Sequence, residues 1–155
     1  VMKITGAMGS AYSMTEEEVD KFLESKLNLQ LATIDELGDP SIQPVWFDYD
    51  KNKKSLFIMT PKTSNKAQNI RRKSKIYFSI DDENSPYKGV KVKGEAIVLG
   101  DEKKIMLLVE KINMKYLGIL NNPIAKILID NTRNGIETVF EITPEFFSTW
   151  DFGKA

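Results

Sequence analysis

The sequence contains neither cysteine nor histidine. Without cysteine there are no disulfides and no thiolate metal sites. Without histidine, serine–histidine triads, histidine-ligated haem and the usual zinc sites are excluded, because imidazole is the common acid–base group and metal ligand near neutral pH. Net charge is absent too: 22 basic and 22 acidic residues cancel, which denies the chain the broad positive field that steers a polyanion. No apolar run approaches the roughly 20 residues of a membrane span, and the N-terminus lacks the basic-then-apolar layout of a signal peptide. A cytoplasmic protein without membrane or nucleic-acid partners is expected. Chemistry must come from carboxylates, lysines, tyrosines, backbone dipoles or a cofactor that carries its own reactivity.

What is present suits one globular domain. A chain of 155 residues with 41% hydrophobic content buries roughly 70% of the surface exposed when unfolded. Gly6-Ala7-Met8-Gly9-Ser10 looks like a tag remnant, so residues 1–13 are set aside as an extension and 14–155 taken as the domain. Thr15-Glu16-Glu17-Glu18 fits a capping box and opens a helix over about 15–27. Strands are predicted at Leu29–Asp35, Ser41–Tyr49, Leu56–Thr60, Lys75–Ile80 and Val90–Val98. Pro44 lies inside the second and cannot donate to a ladder, so that segment is read as an edge, a bulge or a ligand wall. Asp101 caps a helix to about Leu117, Asn122 and Pro123 start another to about Asp130, and two strands around Thr143-Pro144 close the chain. About seven strands with three or four short helices, and no alternating strand–helix rhythm, indicate a mostly antiparallel barrel with peripheral helices.

Between Thr60 and Lys75 lie Lys62, Lys66, Arg71, Arg72, Lys73 and Lys75, with no acidic residue. A nucleic-acid surface would interleave aromatics among these cations, and none is there. A solvated charged helix is the plainer reading. If Thr63 or Ser64 caps a helix to about Lys73, however, its first amides, both hydroxyls and Lys66 form an anion pocket of phosphate size. Ala67 and Ile70 then face the barrel, Lys66, Asn69 and Lys73 a neighbouring side, and Arg71 and Arg72 point elsewhere. The acidic loop Asp81-Asp82-Glu83 has no metal-ligand pattern, and no metal site is expected.

Taken in order, LATIDELGDPSIQPVWFDYD, SLFIMTPKTSNKAQNIRRKSKIYFSIDD and PYKGVKVKGEA resemble the flavin-binding split-barrel family related to pyridoxamine 5′-phosphate oxidase. The resemblance implies a homodimer binding FMN, or in one branch a deazaflavin coenzyme, in clefts between subunits. It puts Gln43, Pro44, Val45 and Trp46 along the isoalloxazine ring with Met59 and Thr60 beside them. Lys66, with Thr60, Ser64 and Asn69, would hold the phosphate, and Trp150 resembles an aromatic that reaches the partner's cofactor. Asn65 stands where arginine is frequent in the family. The C-terminal TWDFGKA departs from the arginine-leucine-x-proline signature of the oxidase itself. The implied activity is therefore FMN-dependent oxidoreduction of another small molecule, with a deazaflavin-dependent reductase or a non-catalytic flavin carrier as alternatives. No catalytic acid or base is assigned.

Overall fold

The computed structural model describes residues 2–155. Eight strands make one curled, mostly antiparallel sheet, a split barrel: β1 (Ile4–Gly6), β2 (Leu29–Ile34), β3 (Pro40–Val45), β4 (Phe47–Asp50), β5 (Ser55–Pro61), β6 (Lys75–Asp81), β7 (Lys88–Val98) and β8 (Glu137–Asp151). Four α-helices accompany them: α1 (Glu16–Phe22), α2 (Asn65–Arg72), α3 (Glu102–Leu117) and α4 (Pro123–Arg133). Strand order is β3-β2-β6-β7-β8-β5-β4, with β1 parallel to β8. The two edges of the sheet, β3 and β4, are consecutive in the chain and joined by Trp46 alone. Val45 pairs with Leu29 and Phe47 with Ile58, so Trp46 sits at the split in the barrel.

That break corrects the expectation of a single strand over Ser41–Tyr49. Pro44 does lie on an edge strand, paired with Gln30 on one side only, the kind of sheet position where a residue without an N–H is tolerated. Helix α1 ends at Phe22 instead of residue 27, because Glu24 and Ser25 donate to carbonyls only three residues back and tighten the last turn. Its capping box is formed: Glu18 N donates to Thr15 Oγ1 at 3.2 Å and Thr15 N to Glu18 Oε1 at 2.9 Å. The last two predicted strands are one fifteen-residue strand. A register shift at Lys93/Gly94 brings Pro144 opposite Gly94, so the proline's missing donor falls where the ladder is already irregular. Residues set aside at the N-terminus also join the sheet: β1 pairs with Phe147–Thr149, and Met2 is buried.

The barrel interior is filled by Leu29, Leu31, Phe47, Ile58, Phe78, Ile80, Val92, Phe140 and Phe147. Strand alternation turns Phe57, Met59 and Val139 to the opposite face, where α3 covers Phe57 and Val139 with Ile105, Leu108 and Val109. Leu107 and Met114 of α3, and Ile124 and Ile127 of α4, stay exposed in the single chain. No described helix is long and apolar enough to cross a membrane.

Candidate functional site

Beside the split in the barrel lies a cleft of about 310 Å³, lined by Asn28, Pro44, Val45, Trp46, Met59, Lys66, Leu128 and Glu137. Pro44, Val45 and Trp46 come from the edge strand and its exit, Met59 from β5, Lys66 from the first turn of α2, and Leu128 from α4. Trp46 is held from behind by Tyr116, whose hydroxyl donates to Leu27 O at 2.8 Å and accepts from Phe47 N at 3.4 Å. One phenol thereby ties the residue after the tryptophan to the chain that leads into β2.

At the polar end, α2 starts as predicted. Ser64 Oγ accepts from Ala67 N at 3.2 Å and lies 2.8 Å from Thr60 Oγ1, so the cap is itself braced by β5. The amides of Asn65 and Lys66 belong to the first turn, where no helical carbonyl is available to them. Lys66 is half-buried, and desolvation lowers its pKa against the opposing pull of Glu137. Glu137 is only 4% exposed, and no hydrogen bond reaches its buried Oε2. Burial raises its pKa, and the Lys66 charge partly offsets that.

The structure thus brings Pro44, Val45, Trp46, Met59 and Lys66 to one cleft, with Thr60 and Ser64 supporting the helix start behind it. Gln43 is exposed on the open edge, outside the lining. Asn69 does not share the face of Lys66. It turns inward, its Nδ2 donating to Thr33 Oγ1 at 3.0 Å while its Oδ1 accepts from Arg72. Trp150 lies at the far end of β8 from Glu137, against Gly89. The basic stretch disperses: Arg71 donates to Lys62 O at 2.6 Å, and Lys75 pairs with Glu95 and Glu145. Glu137, Asn28, Leu128 and Tyr116 were not anticipated. A heptad-free helix gave no sign that Tyr116 would reach Trp46, and a lone glutamate opening a strand carries no local signal.

Over residues 15–151 the sequence matches the pyridoxamine 5′-phosphate oxidase family. The chain belongs to that family. Among solved structures similar to this pyridoxamine 5′-phosphate oxidase family member is the conserved hypothetical protein Rv2991 from Mycobacterium tuberculosis. It has 23% identity and a TM-score of 0.80, with 94% of this chain and 89% of that one covered. An F420 reductase is 25% identical with a TM-score of 0.67, covering 83% and 94% of the two chains. HutZ, the heme storage protein from Vibrio cholerae, shares 16% identity at a TM-score of 0.65, covering 88% and 93%. The first and third of these show the fold alone. No curated protein matches the sequence significantly.

Proposed function

We propose that this member of the family is an FMN-dependent oxidoreductase acting on a small molecule, with the cofactor in the cleft beside Trp46. The observation that carries the reading is the joining, in one cleft, of an apolar wall (Pro44, Val45, Trp46, Met59) to a cation at a helix start (Lys66). An apolar wall suits a flat conjugated ring, and an ammonium beside free helix amides suits a phosphoryl group, so the residues present fit FMN. Bound FMN supplies hydride or electron transfer at its N5 atom, which accords with a chain lacking histidine. The chain's own tasks are to present the backbone of Pro44–Trp46 to the ring, to hold Trp46 in place through Tyr116, and to neutralise the phosphate with Lys66.

A homodimer completes the site in this reading. Leu107 and Met114 leave apolar surface on α3, and Ile124 and Ile127 on α4, the helix that lines the cleft through Leu128. Trp150, far along β8 from the cleft, would reach a cofactor only from a second copy. A deazaflavin coenzyme is the second reading, favoured by the 25% identity to an F420 reductase.

The test is spectroscopic. Protein incubated with FMN and freed of excess ligand should retain the visible flavin band. Retention of a deazaflavin and not of FMN would move the assignment to the second reading, and retention of neither would sink both. Anaerobic reduction by NAD(P)H followed by reoxidation with small-molecule acceptors separates an enzyme from a flavin carrier, which would show no acceptor-dependent reoxidation.

A further inference from the structure

Among the residues lining the cleft, Lys66 alone is basic and Glu137 alone is acidic. A phosphate site has no use for a carboxylate, since a dianion placed beside it in a half-dehydrated cleft is strongly repelled. Yet Glu137 is nearly fully buried, and its Oε2 has no hydrogen-bond partner. An ionised carboxylate leaves such an oxygen unsatisfied, whereas a protonated acid has a hydrogen to donate and needs only an acceptor. A phosphoryl oxygen is an acceptor of that kind.

Glu137 also lines a second cleft of about 300 Å³. The charged groups that line the two clefts with it are Lys66 of α2, Lys62 before α2, Glu102 and Lys103 at the start of α3, and Arg133 at the end of α4, and of these Lys66 acts on its charge. Arg133 is engaged with Asp130 at 2.7 Å. Burial already biases the carboxyl towards its neutral form.

We propose that Glu137 is a ligand of the phosphoryl group: as the protonated acid it donates to a phosphoryl oxygen opposite Lys66, so that, at any pH where the free carboxyl is ionised, each phosphate monoester dianion enters the cleft together with a proton. The inference rests on reading this cleft as the phosphate end of a flavin site. Only proton binding is involved, and no covalent bond changes. By linkage, FMN affinity falls about tenfold for each pH unit above the pKa of the free Glu137 carboxyl.

Calorimetric titration of the whole protein with FMN tests this, at a series of pH values up to about 9, each in buffers of different ionisation enthalpy. Above the pKa of the free Glu137 carboxyl, wild-type protein should take up about one proton per FMN. Riboflavin, which lacks the phosphate, should bind without that uptake. Glu137→Gln, whose amide still donates, should lose the uptake and flatten the pH dependence, while Lys66→Met should bind FMN more weakly and keep the uptake. FMN binding with no proton uptake at any pH tested, equal uptake with riboflavin, or unchanged uptake in Glu137→Gln overturns the role of Glu137 and leaves the flavin reading standing. Failure to bind either FMN or riboflavin at any pH overturns both. The riboflavin comparison uses wild-type protein, so the conclusion survives a variant that fails to fold.

Discussion

Trp46 and Tyr116 lie face to face, with ring centroids 4.8 Å apart and planes 4° from parallel. One face of the indole is therefore occupied by the chain itself, and only the other can meet a ligand. The stack links the single residue between β3 and β4 to the last turns of α3, so the cleft wall and the covering helix are one mechanical unit.

Removing the phenol hydroxyl should separate the stack from its anchor. Tyr116→Phe loses the bonds to Leu27 and Phe47 and should cost about 1 kcal/mol in urea unfolding, with FMN affinity little changed. Tyr116→Ala loses the ring as well and should cost about 2 kcal/mol, somewhat below a fully buried aromatic, with altered Trp46 fluorescence. Equal stability of the two variants would show that the stack contributes nothing.

Lys66→Ala should weaken FMN binding by about 1.5–3 kcal/mol, the range of a charge-assisted hydrogen bond. Its effect on unfolding should be small, because the lysine makes no ion pair among the described residues. Unchanged affinity in a direct titration would remove Lys66 from the site.

Asn69→Ala should behave the opposite way. The side chain bridges Thr33 and Arg72 from a buried position, so the variant should lose about 2 kcal/mol of stability and leave FMN affinity unchanged. Loss of affinity in a variant that unfolds like the wild type would return Asn69 to the phosphate site.

Lys115 supplies a pH dependence. Its Nζ donates to Phe47 O at 2.9 Å and sits 3.6 Å from the centroid of the Phe47 ring, and burial lowers its pKa from 10.5 to about 8. As pH falls from 10.5 towards 8, the unfolded chain gains a proton there before the folded chain does, so this group's contribution to stability declines across that window and then levels off. Lys115→Met should abolish that component. Urea midpoints for both proteins from neutral to alkaline pH should converge or cross as pH rises, and parallel curves would refute the assignment.

Much of this arrangement is written locally in the chain. The capping box at Thr15, the Ser64 cap, the Asn122-Pro123 start and the alternation of β6 and β7 each depend on residues within a few positions of one another, and the structure keeps them. Pro44 as an edge residue follows from the chemistry of its own nitrogen. What sequence reading misread depends on distant partners. Pro144 looked like a strand break because its tolerance comes from Gly94 across the sheet. Asn69 looked like a ligand beside Lys66 because nothing nearby announces Thr33 as its partner. Glu137 carried no signal at all, since it becomes notable only when β8 lies down beside β5 and brings it to Lys66.

Strand β8 hydrogen-bonds to β1, β5 and β7, all of which precede it in the chain. During synthesis, β3-β2-β6-β7 and β4-β5 can assemble only as two unjoined sheets until residues 137–151 emerge. Such late closure across long sequence separations makes for slow folding and leaves β5 and β7 with bare edges in the meantime. A nascent chain stalled before Glu137 should therefore be a natural client for chaperones that shield unpaired strands.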